Sequence, residues 1–517
     1  MLFNSYVFLL AFLPTAVLGF YWIGRYSARA SLIWLLACSL FFYADWDPVY
    51  LPLLLFSIGF NFGIGAWLRH IAERQDPRRW LVLGGGIAAN LAMLGFFKYA
   101  NFFVDNVNAA KNAGWELAAI VLPLGISFYT FQQIAYLVDT ARGEIRLKSF
   151  LDYATTVAFF PHLIAGPIIL YREILPQFTA RSVARFDHAN FALGATFLAV
   201  GLAKKVLIAD WMALYATPVF AAANDGVAPT LTEAWGGALA YTLQLYFDFS
   251  GYSDMAIGLG LMFNIRLPIN FNSPYKAVNI IDFWQRWHIT LSYFLRHYLY
   301  IPLGGSRRGR PRQHFNIVLT MLLAGLWHGA GWTFVLWGLF HGLLLSINHL
   351  WRSIRAAVGV PAASVPSGWG LWTGRAVTLL AVVVGWVVFR AESLDAAGLV
   401  LRGMAGMNGV TLSPGMEALL SPLVPQLQDL GVTFARSPRF FGAPQVLGLV
   451  LLFAVALLAP NSQELLGYLQ PPATDKADAP GRWHWAPRPA WAVATGLVFV
   501  YVLTQMSSVS EFLYFQF

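Results

Sequence analysis

The chain has 517 residues, 58% of them hydrophobic and 11% charged, with a mean hydropathy of +0.58. A soluble globular chain carries about 25% charged residues, so the composition argues against an ordinary soluble enzyme and implies a polytopic membrane protein. The net charge, 34 − 25 = +9, belongs to basic cytoplasmic loops rather than to nucleic-acid binding. Cys38 is the single cysteine, which excludes an intrachain disulfide and a cysteine metal cluster.

Apolar runs suited to spanning, about 20 residues each, recur along the chain. They fall near 6–24, 31–45, 49–68, 80–97, 117–138, 151–170, 189–209, 233–262, 315–327, 330–350, 373–390, 443–459 and 489–506. Some are short or broken and read as re-entrant. The expectation is an all-α membrane protein of roughly eleven to thirteen transmembrane or re-entrant helices, in one continuous domain, 1–517. Residues 6–24 lack a basic n-region and a small-residue cleavage site, so they read as a retained helix. Arg25 and Arg29 follow the first run, and Arg69, Arg74, Arg78 and Arg79 follow the third, while "DWDPV" (45–49) between them is acidic. The positive-inside rule makes the basic loops cytoplasmic and puts the N-terminus outside. Arg142, Arg146 and Lys148, two spans later, agree. The stretches 408–440 and 471–489 are Pro/Gly-rich and polar beside their flanks and read as loops.

Ionisable residues inside spans are costly and face a protein interior or a water-filled cavity. Here they gather in the middle third. In "YFDFSGYSDMAIG" (246–258), Asp248, Ser250, Tyr252, Ser253 and Asp254 surround Gly251. The stretch reads either as a kinked helix whose freed backbone groups these side chains satisfy, or as part of a substrate passage. Two carboxylates are more than a kink needs. Residues 251–255 lack the second glycine of a nucleophile elbow. The run "NIIDFWQRWHITLSYFLRHYLYIPLGGSRRGRPR" (279–312) mixes aromatic and aliphatic residues with Asp282, Arg286, His288, Arg296 and His297. It is too charged to span and reads as an interfacial or re-entrant helix ending at the cytoplasmic surface. A surface anchor accounts for the arginines but less easily for His288, between Trp287 and Ile289.

In "AGLWHGAGWTF" (324–334), His328 interrupts an almost wholly apolar run beside Trp327, with Gly325, Gly329, Gly331 and Gly338 nearby. One reading is a structural histidine bonded to a carbonyl, with glycines as close-packing residues. The other is functional. The glycines clear space around the ring for a substrate and allow a helix break, and burial favours the neutral imidazole that a general base needs. His341 and His349 read as structural. No H-x-x-x-H or H-E-x-x-H pair occurs, so a zinc site requires long-range assembly. The absence of G-x-x-x-x-G-K-[ST] excludes a P-loop.

The stretches "FWQRWHITLSYFLRHYLYIPLGG" and "LLAGLWHGAGWTFVLWGLFHG" resemble the membrane-bound O-acyltransferase superfamily, above all its alginate O-acetyltransferase branch of cell-surface polysaccharide and peptidoglycan acetyltransferases. "FKYANF" (97–102), "LPLGISFYTFQQIAYLVDTARG" (122–143), "FFPHLIAGPI" (159–168) and "QLYFDFSGYSDMAIGLGLMFNIRLPINFNSPY" (244–275) are similar to that branch too. The likeness covers residues 1–400, with less typical helices over 401–517. It implies helices around a central acyl-transfer tunnel, with His328 as the catalytic histidine. His288, 328 − 288 = 40 positions away, would line the same tunnel. Arg286, Trp287, Trp327, Asp248, Ser250, Tyr252 and Asp254 would lie along it. The resemblance further implies acetyl-CoA as donor, no bound cofactor, no metal, a place in the bacterial inner membrane, and a periplasmic SGNH-type acetyltransferase or other polysaccharide-modifying partner. Alginate, cellulose, another exopolysaccharide and peptidoglycan all stay open as acceptor.

Position 297 is His where the family's "LRDY" leads one to expect Asp, so no carboxylate role carries over there. The ending "EFLYFQF" reads as an aromatic belt at the membrane surface or as an acyl carrier. Related systems end in an aromatic motif around a tyrosine proposed to carry the acyl group, and Tyr514 fits that pattern. A phenol of pKa about 10 needs a base to act as a nucleophile, which His328 supplies if the terminus enters the tunnel. Two rivals belong to other classes. One is a transporter of a polysaccharide or lipid-linked precursor without transferase activity; the other is a scaffold that recruits a soluble transferase.

Overall fold

The computed structural model describes residues 1–145, 149–180, 182–359, 367–468, 485–506 and 512–513. The first helices are α1 (Leu13–Gly24), α2 (Ala28–Ala44), α3 (Leu51–Glu73), α4 (Arg79–Lys111), α5 (Ile126–Ala141), α6 (Phe150–Ala158), α7 (Phe160–Leu163), α8 (Tyr171–Thr179) and α9 (His188–Ala203). The middle holds α10 (Asp210–Asn224), α11 (Leu231–Met262), α12 (Ile280–Arg286), α13 (Ile289–Phe294), α14 (Arg310–His328), α15 (Trp332–Ala357) and α16 (Trp369–Arg390). Then come α17 (Leu394–Met404), β1 (Val410–Leu412), α18 (Pro414–Leu419), α19 (Val424–Asp429), β2 (Val432–Phe434), α20 (Ala443–Leu458), α21 (Ser462–Leu465) and α22 (Pro489–Gln505).

The architecture is all-α apart from β1 and β2, which pair in parallel. That strand pair and the short helices between it correct the reading of 408–440 as loop. Among the described residues, five segments are long and apolar enough to cross a membrane: Pro48–Glu73, Arg79–Lys111, His188–Asn224, Trp332–Ala357 and Trp369–Arg390. Four shorter apolar helices accompany them. Two expected spans are broken. Residues 112–123 carry no helix, because α4 ends at Asn112 in a left-handed conformation (φ 48°) and Pro123 and Gly125 precede α5. The 151–170 run is interrupted at Phe159 and again after Leu163, before Gly166 and Pro167.

The chain forms two compact units, Met1–Val206 with Ser250–Asn270 and Ser462–Phe517, and Leu207–Phe249 with Phe271–Asn461. In the first unit, α3 and α4 are tied by reciprocal buried amide bonds. The Asn61 Nδ2 donates to Asn90 Oδ1 at 3.1 Å, and the Asn90 Nδ2 donates to Asn61 Oδ1 at 2.7 Å. Such pairs suit an interior where water cannot satisfy the amides. The N-terminal amine pairs with Asp45 at 3.0 Å, which puts the chain start beside the acidic loop.

Helix α11 runs unbroken through 246–258, which corrects the expected kink at Gly251. Its glycines serve contact instead. A Cβ at Gly201 would lie 2.6 Å from the Gly251 carbonyl, and one at Gly194 2.6 Å from that of Gly258. Two glycines seven apart on each helix thus let α9 and the end of α11 approach closely. Asp254 lies beside that contact. Its carboxylate pairs with Lys204 Nζ at 2.6 Å and accepts from Ser462 Oγ at 2.7 Å and Gln463 Nε2 at 2.8 Å, so α21 is bound to α11 through hydrogen bonds to one buried carboxylate.

In the second unit, α14 and α15 form a helical hairpin closed by glycines. A Cβ at Gly325 would run into the Phe334 carbonyl, one at Gly338 into that of Met321, and one at Gly342 would lie 2.9 Å from Val318 Cα.

Candidate active site

His288 stands between α12 and α13. Asn279 Oδ1 accepts the backbone N–H groups of Ile281 and Asp282, which starts α12. At its far end, Asp282 Oδ1 accepts from Arg286 Nε at 2.7 Å, and the Asn272 N–H donates to the Arg286 carbonyl at 2.9 Å. With α12 fixed there and α13 beginning at Ile289, the intervening residue takes φ 45°, ψ 54°. This is the left-handed region, which costs a non-glycine residue about 1–2 kcal/mol. Backbone strain of this kind persists where the surroundings impose it and gathers at functional sites. The expected continuous helix over 279–312 is therefore broken at its histidine. His288 is 1% exposed.

His328 is the last residue of α14. Gly329 and Gly331 are extended and carry the chain across to Trp332, where α15 begins. A Cβ at Gly329 would meet the Phe334 ring. The glycines thus permit the close hairpin of the structural reading and the helix break of the functional one. They do not clear space around the imidazole, because aromatic rings surround it. Trp327, Trp337 and Phe389 meet it edge-on, with centroids at 5.0, 5.2 and 5.3 Å. His328 is 6% exposed, so its ring faces protein rather than lipid.

The two histidines come together. Their ring centroids are 6.4 Å apart, and Trp327 touches both, at 6.1 Å from His288. Phe249 packs edge-on against His288 at 4.9 Å. Two imidazoles in a nearly dry aromatic cage can take a proton from a hydroxyl and stabilise an oxyanion without competition from bulk water.

A family match and three relatives place this pair in context. The family described as MBOAT, membrane-bound O-acyltransferase family, matches residues 126–372, which contain both histidines. The chain is 39% identical to "Peptidoglycan O-acetyltransferase" of Helicobacter pylori over 100% of this chain and 98% of that one. It is 41% identical to "Probable alginate O-acetylase AlgI" of Pseudomonas syringae pv. tomato over 100% of both. This chain belongs to the membrane-bound O-acyltransferase family. A more distant relative, "Teichoic acid D-alanyltransferase" of Streptococcus thermophilus, is 25% identical over 52% of this chain and 68% of its own length. The protein is accordingly a multi-pass membrane acyltransferase, which sets aside the transporter and scaffold readings.

The other residues singled out from the sequence of this O-acyltransferase fall in several places. Trp287 is buried in an aromatic cluster, 4.8 Å from Trp386 and 5.0 Å from Phe271. The Arg286 guanidinium is engaged by Asp282 and, at 3.3 Å, by the Asn272 carbonyl. Asp248 is buried in the second unit, whereas Ser250, Tyr252 and Asp254 belong to the first. His297 stacks on Tyr293 at 3.7 Å. Among the described residues, no group of three His, Cys, Asp or Glu side chains is placed to hold a metal ion.

At the chain's end, Phe512 and Leu513 are buried in the first unit. Phe512 meets Tyr252 edge-on at 5.0 Å and lies under the Lys205 ammonium at 4.9 Å. These two residues are therefore not part of a surface belt. Tyr514 lies outside the described residues.

Sequence reasoning missed Trp337, Phe389 and Phe249, which complete the cage. His341 was read as structural. That ring is fully buried, 4.9 Å from Trp337, and neither of its nitrogens has a hydrogen-bond partner among the described residues. The helical offset between Trp337 and His341 was the available signal, since residues four apart share a face.

Proposed function

We propose that this acyltransferase moves acetyl groups from cytoplasmic acetyl-CoA across the bacterial inner membrane. The acceptor is a hydroxyl at the outer face, on a cell-surface polysaccharide or on a periplasmic SGNH-type partner enzyme. The reading is carried by the buried imidazole pair, with His288 and His328 centroids 6.4 Å apart. His328 takes the proton as the acceptor oxygen attacks the acetyl carbonyl carbon. His288 donates a hydrogen bond to the developing oxyanion. Collapse of the tetrahedral intermediate breaks the carbon–sulfur bond, and the imidazolium returns its proton to the departing thiolate. Trp327, in contact with both rings, holds them in register. Trp287, Arg286 and Asp248, which belong to the same unit as the two histidines, border the acyl passage or hold its walls. The names of the relatives support a cell-envelope acceptor.

Tyr514 is the proposed transient carrier. Its phenol is then the oxygen that attacks the thioester, and the final hydroxyl displaces it from the acetyl carbon in a second transfer, the proton of that hydroxyl going to the departing phenolate. The burial of the neighbouring Phe512 and Leu513 supports this reading. The test combines His328→Ala, His288→Ala and Tyr514→Phe in a strain lacking the native gene, with surface O-acetyl groups measured by mass analysis. Loss of acetylation in properly inserted His328→Ala protein is the expected result. Unchanged acetylation would remove the base from the scheme. A labelled acetyl group on Tyr514, absent from Tyr514→Phe, identifies the carrier.

A further inference from the structure

We propose that Arg390 and Tyr241 form an acceptor subsite of this acyltransferase, which binds the carboxylate of a uronic acid sugar. The inference rests on the reading above, in which the acceptor hydroxyl approaches His328 from the outer face. Both residues, like His328, belong to the second unit.

The arginines orient three helices of that unit. Arg307, Arg308, Arg310 and Arg312 gather around the start of α14, Arg352 and Arg355 lie at the end of α15, and Arg375 lies in the first half of α16. By the positive-inside rule this end is cytoplasmic. His328 ends α14 and Trp332 begins α15, so both stand at the outer end. Helix α16 also finishes there, because Phe389 meets the His328 ring at 5.3 Å and the Phe334 ring at 5.1 Å. Arg390 follows Phe389 and is the last residue of α16. A cation therefore stands at the outer end, one position from the wall of the histidine cage.

Its guanidinium is held by rings. The Arg390 Cζ lies 5.7 Å from the Phe220 centroid and 5.9 Å from that of Tyr241, on α10 and α11. Those two rings pack together at 5.6 Å. Cation–π contact orients a guanidinium and leaves its N–H fork for an acceptor. Among the described residues Arg390 makes no ion pair: Glu392 is exposed, and the buried Asp248 shares with Arg390 an electrostatic influence on the Tyr241 hydroxyl. Arg390 is partly exposed, so a ligand can reach it.

Tyr241 supplies a second donor. It is fully buried, and its hydroxyl has no hydrogen-bond partner among the described residues. The dipole at the end of α16 accounts for a cation at position 390, but it does nothing for that hydroxyl, whose burial without a partner costs stability. A carboxylate satisfies both groups: it accepts the guanidinium fork and the phenol O–H, and its single charge matches a single cation. A polysaccharide unit that carries a carboxylate beside its hydroxyls is a uronic acid.

The test uses the purified full-length protein in mild detergent, without acyl donor. Its thermal midpoint is followed against a mannuronate oligosaccharide and against the neutral oligosaccharide made by reducing the carboxylates to alcohols. The midpoint should rise with the uronate alone. Arg390→Gln should weaken that response by about tenfold or more, since hydrogen bonds to a charged group are worth at least that much. Arg390→Lys keeps the charge and loses the fork, and Tyr241→Phe keeps the ring and loses the hydroxyl, so each should weaken it several-fold while preserving the packing. A midpoint unmoved by the uronate, equal responses to the two saccharides, or a uronate response unchanged in all three variants overturns the proposal. Carboxylate-dependent binding without any acetylation when acetyl-CoA is added would sink the transfer reading and leave the subsite. Equal acetylation of both saccharides would sink the subsite and leave the transfer.

Discussion

Substitution of His288 separates backbone strain from chemistry. His288→Ala keeps the left-handed demand at φ 45° and deletes a ring that is 1% exposed. His288→Gly deletes the same ring and also removes the strain, about 1–2 kcal/mol for a residue with a Cβ. Both lose the packing of the imidazole against Phe249 and Trp327. That shared loss cancels in their difference. Glycine is ordinarily about 0.5–1 kcal/mol worse than alanine inside a helix, so the sign is inverted here: His288→Gly should be about 1 kcal/mol more stable than His288→Ala. Denaturant titration of the two purified variants reads that difference as a shift in midpoint. Acetylation in cells is the second readout. If His288 binds the oxyanion, both variants fall by about 10²–10³-fold, the usual cost of losing one such donor, whatever their order of stability. An alanine variant more stable than the glycine one would refute the strain argument. Wild-type acetylation by either would refute the role of the ring.

Gly338→Ala pushes a Cβ into the Met321 carbonyl and should cost about 1–3 kcal/mol by overpacking. Gly496→Ala has nothing within 4 Å and should gain about 0.5–1 kcal/mol in the same denaturation assay. Asp254→Asn leaves the Lys204 ammonium without its carboxylate and should cost about 3–5 kcal/mol, the usual loss when one partner of a buried pair is removed. Adding Lys204→Met should restore much of that stability, and a double variant as unstable as the single would contradict the ion-pair account. Phe512→Ala removes the contacts with Tyr252 and Lys205, so carboxypeptidase should trim the variant's terminus faster than the wild type's.

Hydropathy made most of the membrane helices legible, because burial in lipid demands long apolar runs that composition alone reveals. It failed where polar side chains find partners inside the protein. Residues 151–170 look apolar enough to span, yet His162 is buried there with its ring bonded to the Thr156 carbonyl at 2.9 Å, and the chain turns. Gly251 suggested a kink because its partner, Gly201, is fifty positions away on another helix. The motifs around His288 and His328 were visible, but the cage was not. Trp337 and Phe389 reach His328 only through the folding of α15 and α16. The left-handed backbone of His288 had no signal at all, since nothing in a histidine's neighbours announces a positive φ.

Thiol release tests the role of His328 most directly. Purified protein in proteoliposomes, given acetyl-CoA and an acceptor saccharide, should liberate free CoA at a steady rate, and His328→Ala protein of normal thermal stability should release it at least a hundredfold more slowly. Equal release by the two would contradict the assignment of His328 as the base.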